Sequence, residues 1–300
     1  MKIAMLFPYF GKFPEWFDLY LYSCSKNTDI DFIFYTDCEV DMYIPKNVKF
    51  HHISFEEFCT KVSSILNIEF KPQSPYKICD LRPFFCDIFK DDLIEYDFWG
   101  YGDIDLIYGD LSNLIKKTAK YDLVTTHADR VAGHFTLIRK TSKYSNLCYR
   151  ITSWRERLVE EYVYGLDEHD FTSLVYPFTR YIWSAYRRVG KYLGIIYYNF
   201  FRIPNLFFNA FSAHYLQEYY TSVLPKDGEN WCYDMEAGKI YNPKRIELPY
   251  LHFLFFKKTP FYDAKTYWGK DFWQVGNIDF YHTKGIIQFS NEKVVYNNGK

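Results

Sequence analysis

The chain lacks most of the features that would assign it a function at a glance. In its 300 residues there is no uncharged apolar run of about 18 residues, so nothing reads as a membrane-spanning helix. Its seven cysteines (Cys24, Cys38, Cys59, Cys79, Cys86, Cys148 and Cys232) are scattered and form no CxxC pair. That argues against a disulfide framework or a structural zinc site, and for reduced thiols in a cytoplasmic setting. No basic run or nucleic-acid motif accompanies the net charge of −1, which argues against nucleic acid as the main ligand. Pro8-Tyr9-Phe10-Gly11-Lys12 makes a poor glycine-rich phosphate loop. The apolar run at the N-terminus is too short for a signal peptide and reads as a first strand. There is no internal repeat and no low-complexity linker.

What the chain has in excess is aromatic rings. Tyr (30), Phe (29) and Trp (7) make up 22% of it, within an apolar total of 48% that can fill a sizeable core. Two origins fit the excess: base composition of the gene, and ring stacking on the apolar faces of sugars. Apolar runs at 2–7, 30–36 and 48–53 predict strands. Between them residues 14–25 have helix-like spacing, and Ser54 with Glu56 and Glu57 predicts a helix N-terminus. Strands alternating with helices imply parallel βαβ units, which bind ligands at the carboxyl ends of their strands. Residues 76–95 predict a long helix, 121–126 and 134–138 strands, 151–224 an aromatic helical region, and 241–256 a strand-like return.

The strongest chemical signal is Asp103-Ile104-Asp105, which follows an apolar, aromatic strand with glycines on each side. A turn at a strand end can aim two carboxylates at one cation. Mn²⁺ or Mg²⁺ favours hard oxygen ligands and can bridge carboxylates to a diphosphate, offsetting charge on a leaving nucleotide. Glycine permits close backbone approach to phosphate. An Asp-x-Asp pair alone is common in surface turns; the setting is what favours the metal site here.

Four stretches resemble bacterial glycosyltransferases of capsule and lipopolysaccharide loci, with the GT-A type of α/β fold. They are the opening Lys-Ile-Ala-Met-Leu-Phe-Pro-Tyr-Phe-Gly-Lys-Phe-Pro, the block Pro-Tyr-Lys-Ile-Cys-Asp-Leu-Arg-Pro at 75–83, Asp-Phe-Trp-Gly-Tyr-Gly-Asp-Ile-Asp-Leu-Ile-Tyr-Gly-Asp at 97–110, and Gly-His-Phe-Thr-Leu-Ile-Arg at 133–139. The resemblance covers residues 1–140 and resumes at 247–258. It implies that Asp103 and Asp105 hold the metal, that Pro8, Tyr9 and Asp37 lie beside the nucleoside, and that Lys77, Asp80 and Arg82 reach the donor sugar or diphosphate. His252, followed by Lys257 and Lys258, is similar to the His…Lys-Pro element of glycogenin-like transferases. By that likeness His252 completes the metal shell and one of the two lysines contacts phosphate. Alternatively, His252 is a satisfied core histidine.

Further candidates are less specific. Asp167 and Glu168, in Gly165-Leu166-Asp167-Glu168-His169-Asp170, could supply a general base to an acceptor hydroxyl or simply cap a helix. His134 faces an acceptor or sits in a strand. Residues 176–224 mix Arg180, Arg187, Arg188, Lys191 and Arg202 with large apolar side chains, which suits either a peripheral membrane interface for a polyprenol-linked acceptor or an aromatic core. The expected organisation is a nucleotide-sugar-binding α/β region at 1–140. A mostly helical acceptor region follows at 141–300, with a metal and phosphate segment returning at 247–260. The expected activity is metal-dependent transfer of a UDP-linked hexose to a growing surface glycan, at the inner face of the cytoplasmic membrane. The rival readings are a nucleotidyltransferase of sugar phosphates and a non-catalytic glycan-binding module.

Overall fold

The computed structural model describes residues 1–127, 130–176, 214–216, 228–252, 254, 256 and 268–298. Its first half alternates strands and helices as the hydrophobic pattern predicts: β1 (Ile3–Pro8), α1 (Phe17–Ser25), β2 (Ile30–Thr36), β3 (Val48–His52) and α2 (Phe55–Leu66). Ser54 caps α2 in a capping box: its hydroxyl accepts the Glu57 N–H while the Glu57 carboxylate accepts the Ser54 N–H. Further on come α3 (Phe85–Ile88), β4 (Phe98–Gly102), β5 (Leu106–Tyr108), α4 (Ser112–Thr118), β6 (Leu123–Thr125) and β7 (Phe135–Arg139). With β8 (His214–Leu216), these strands build a seven-stranded sheet of order β3-β2-β1-β4-β7-β6-β8, from which β5 stands apart. Only β7 runs against the others. The α/β class read from the sequence is therefore the observed one.

Period-two alternation divides the core between the two faces of this sheet. From β1, Ile3, Met5 and Phe7 enter one cluster with α1, while Ala4 and Leu6 enter the other with α2. Such two-sided burial is why the strands read as continuous apolar runs.

Two expectations are corrected. The long helix at 76–95 is instead a 3₁₀ helix, Pro75–Phe84, followed by the single turn of α3. Pro83 lies inside it and brings no N–H to an α-helical ladder. At three residues per turn, the 3₁₀ winding stacks residues three apart on one edge, and it buries Lys77 against Asp80. Nor is the described part of the acceptor region mostly helical. Its described helical elements lie before residue 177, where α5 (Trp154–Val159), a π-helical turn at Asp167–Phe171 and α6 (Thr172–Val175) take up more than half of 151–176. Beyond 228 the described elements are all strands: β9 (Trp231–Asp234), β10 (Lys239–Tyr241), β11 (Glu247–Leu248), β12 (Tyr250–His252), β13 (Trp273–Gln274), β14 (Ile286–Phe289) and β15 (Val294–Asn297). Six of them form a second sheet of order β11-β10-β9-β14-β15-β13. Its Trp231, Tyr233, Ile287 and Phe289 join the same apolar cluster as α1 and β1, so aromatic content here serves sheet packing. Among the described residues no helix is long and apolar enough to cross a membrane. The segment 177–213, which carries most of the expected membrane surface, lies outside the described residues.

Candidate metal centre

Asp103 follows β4 at the carboxyl edge of the parallel strands, and the chain bends at Ile104 and Asp105 before β5. Strand β5 pairs antiparallel with β12, in a register that sets Leu106 opposite His252. That pairing carries a histidine from the end of the chain to the Asp-x-Asp turn. One ligand atom from each of Asp103, Asp105 and His252 lies within 4.8 Å of the others. His252 Nε2 is 3.5 Å from Asp105 Oδ1. The side chains of His252 and Asp105 are 6% and 11% exposed and that of Asp103 31%, so the cluster opens to solvent on the Asp103 side.

The glycines around the turn do a different job from the one expected. A Cβ on Gly102 would sit 2.9 Å from the His134 carbonyl, and one on Gly109 would sit 2.7 Å from the Leu248 carbonyl. They permit close approach of neighbouring backbone, which leaves the phosphate role without support at these positions.

Arg82 connects the turn to the acidic loop. Its Nη2 pairs with Asp103 Oδ1, and its Nη1 pairs with Asp167 Oδ2 at 2.9 Å. Burial holds the Asp167 carboxyl above the usual carboxylate range, with the Arg82 guanidinium pulling the other way. Glu168 is the more accessible neighbour: its Oε1 accepts the Gly133 N–H at 3.1 Å, and its Oε2 is 3.4 Å from Arg130 Nη1. A Cβ at Gly133 would meet Arg82, Asp167 and Glu168 together, so this glycine is the wall on which the three converge.

Lys77 and Asp80 are placed differently from what the resemblance implies. The Lys77 ammonium is 1% exposed and bonds Asp80 Oδ2 at 2.9 Å, the Arg157 carbonyl at 2.7 Å and the Tyr162 carbonyl. Asp80 in turn accepts the Tyr164 and Leu166 N–H groups, each at 3.0 Å. All three ammonium hydrogens are thus spent inside the protein, and the pair ties down the loop that leads to Asp167. Neither residue is presented to a donor. At the other end of the site, the Tyr9 hydroxyl donates to the Lys12 carbonyl at 2.9 Å, and Asp37 accepts the Gly11 N–H at 2.9 Å. With Pro8 closing β1, these residues shape the turn at the carboxyl ends of β1 and β2. Lys257 and Lys258 lie outside the described residues.

Several contacts of the site have no counterpart in the sequence reading. The Trp16 indole donates to the Ile104 carbonyl at 2.8 Å, holding the middle of the Asp-x-Asp turn. His134 is buried and stacks on His252, so it faces no acceptor. Nothing in residue spacing signals either contact, because each joins segments far apart in the chain.

A model of a family of unknown function, DUF6625, matches residues 5–277. The chain belongs to this family. No curated protein sequence matches this DUF6625 chain. Among solved structures it is similar to mouse xyloside xylosyltransferase 1 in its apo form, at 13% identity and a TM-score of 0.34, over 58% of this chain and 80% of that one. It is also similar to the glycosyltransferase GlyE of Streptococcus pneumoniae TIGR4, at 14% identity and a TM-score of 0.30, over 60% of this chain but only 43% of GlyE. A third similar structure is the galactosyltransferase LgtC with donor and acceptor sugar analogues, at 15% identity and a TM-score of 0.29, over 56% and 71% of the two chains.

Proposed function

We propose that this protein is a metal-dependent glycosyltransferase of GT-A type that moves a hexose from a UDP-linked donor to a growing bacterial surface glycan. The observation that carries this reading is the meeting of Asp103, Asp105 and His252 at the carboxyl edge of the parallel strands. The donor set suits Mn²⁺ or Mg²⁺: two carboxylates are hard ligands, and an imidazole is a fitting third. Ligand atoms around a cation bound at about 2 Å lie roughly 3–4 Å apart, so a group spanning up to 4.8 Å closes on the cation with small side-chain movements. When bound, such a cation would offset negative charge on the leaving diphosphate.

The remaining residues take roles that follow from their contacts. Pro8, Tyr9 and Asp37 shape the strand-end turn against which the nucleoside would lie. Arg82 is the one described cation that touches a metal-binding acid, and it would face the donor sugar or diphosphate. In the transfer, the acceptor oxygen bonds to the anomeric carbon as the bond to the diphosphate oxygen breaks, and the hydroxyl proton goes to a base. Of the two acids considered for that base, Asp167 is 3% exposed and paired with Arg82, whereas Glu168 is 34% exposed, which leaves Glu168 as the proton acceptor in an inverting reaction.

A donor panel with Mn²⁺ and Mg²⁺, read by nucleoside diphosphate release and NMR of the product, tests the reading. Release is expected with one nucleotide sugar, and it should disappear in Asp103→Ala and Asp105→Ala while the melting temperature holds. Near-normal turnover in Asp105→Ala would remove the metal assignment. No release from any donor would favour a non-catalytic glycan-binding module, and pyrophosphate release from a sugar phosphate and a nucleoside triphosphate would favour a nucleotidyltransferase.

A further inference from the structure

Both halves of the ligand set rest on His134. Its carbonyl accepts the Asp103 N–H at 3.2 Å. Its imidazole lies over that of His252, with ring centroids 4.5 Å apart and planes inclined by 25°. The ring is fixed in turn, with Nε2 2.9 Å from the Tyr250 hydroxyl and 3.3 Å from the Thr126 hydroxyl. It is buried, out of a substrate's reach, and is not one of the three ligands. For packing alone, an aliphatic side chain would fill the space without needing hydroxyl partners. A flat ring held at stacking distance does something an aliphatic chain cannot: it restrains rotation of the neighbouring imidazole.

We propose that His134 is a positioning residue of the metal centre. It holds the His252 ring in the orientation that presents Nε2 to Asp105, and it seats the Asp103 backbone beside them. The metal turn and β12 arrive from distant parts of the chain, and this one side chain and its carbonyl register them against each other. Trp16 holds the same turn through the Ile104 carbonyl. The inference rests on the metal reading above.

The test is Mn²⁺ binding to the full chain, followed by electron paramagnetic resonance of the free ion. Co²⁺ absorption reports the ligands, and thermal melting reports the fold. Wild type, Asp105→Ala, His134→Leu and Tyr250→Phe are compared. His134→Leu is expected to weaken Mn²⁺ on the order of 10- to 100-fold, as loss of an outer-shell partner does, and to strip nitrogen-ligand character from the Co²⁺ spectrum. Tyr250→Phe, which removes the nearer of the two hydroxyls at His134 Nε2, should show a smaller loss of the same kind. Wild-type affinity and spectrum in His134→Leu overturn the proposal, whatever its melting temperature. Should His134→Leu fail to fold, unchanged affinity in Tyr250→Phe overturns it instead. If the wild type binds no Mn²⁺, the metal reading itself falls and this inference with it. If Asp105→Ala abolishes binding but His134→Leu keeps it, the metal reading stands and only His134 is removed.

Discussion

A single methyl group at Gly133 should damage the site far more than the fold. A Cβ there would lie 2.6 Å from Arg82 Nη1 and 3.0 Å from both Asp167 Oδ2 and Glu168 Oε1. The first of these is well inside van der Waals contact, so Arg82 must move. It cannot move freely, because Nη1 is held by Asp167 at 2.9 Å and Nη2 by Asp103. Overpacking of this kind costs about 1–3 kcal/mol. Complete loss of the Arg82–Asp167 pair, which would strand a carboxylate that is 3% exposed, sets an upper bound of about 3–5 kcal/mol. At roughly 2–4 °C per kcal/mol for a chain approaching this size, Gly133→Ala should melt about 2–12 °C lower and still fold. Transfer should fall by much more, since misplacing a positioned group by about 1 Å can cost about a hundredfold. Melting and nucleoside diphosphate release at saturating Mn²⁺ measure the two effects side by side. Wild-type turnover in Gly133→Ala would mean that the Arg82, Asp167 and Glu168 cluster has slack and sets no catalytic geometry.

Three other outcomes are expected. Lys77→Met leaves Asp80 buried without its ion-pair partner, so denaturant unfolding should show a loss of about 3–5 kcal/mol; a loss below about 1 kcal/mol would mean that the pair is not buried as described. Glu168→Gln should lower transfer by at least about a hundredfold while donor and Mn²⁺ still bind, and the wild-type product should have the anomeric configuration opposite to the donor's; retention of configuration ends the base assignment. Asp110 accepts the Ser112 N–H at the start of α4, and that bond holds its carboxyl below the ordinary 3.8. The contribution is thus present above pH 3.8 and lost as pH falls further. Asp110→Ala should cost about 0.5–1.5 kcal/mol at neutral pH, the worth of one hydrogen bond, with the gap to wild type closing in acid, and a gap independent of pH would refute this.

What the sequence disclosed and what it hid divide along a physical line. Strands β1, β2 and β7 and the Ser54 cap were legible because burial on a sheet face and capping chemistry are local patterns. The Asp-x-Asp turn was legible for the same reason. The 3₁₀ course of 75–84 was hidden because its apolar spacing also fits an α-helix, and nothing in that spacing announces the burial of Lys77 against Asp80. That burial also turned a predicted diphosphate contact into an internal tie. The strand-like return at 241–256 was legible and holds β11 and β12, but the other strands after residue 228 were hidden by aromatic residues, which serve a sheet face as readily as a helix face. The contacts of Trp16 and His134 could not be read, although His134 stood out as a candidate, since neither residue's neighbours nor its spacing announces a partner so far along the chain.

His252, the proposed third ligand, shows how such a long-range contact is nonetheless specified. Side chains alternate along a strand, so slipping β12 by one residue against β5 would turn His252 away from Asp105. Something must therefore fix the register. Gly109, directly after β5, donates its N–H to the Pro249 carbonyl at 2.8 Å, and a Cβ on it would come within 2.7 Å of the Leu248 carbonyl. Only a residue without a side chain lets the two backbones approach at that point, and the approach sets Tyr250 opposite Tyr108 and His252 opposite Leu106. The glycine that follows β5 thus acts on the proposed metal site from a distance, by deciding which face of β12 meets the Asp-x-Asp turn.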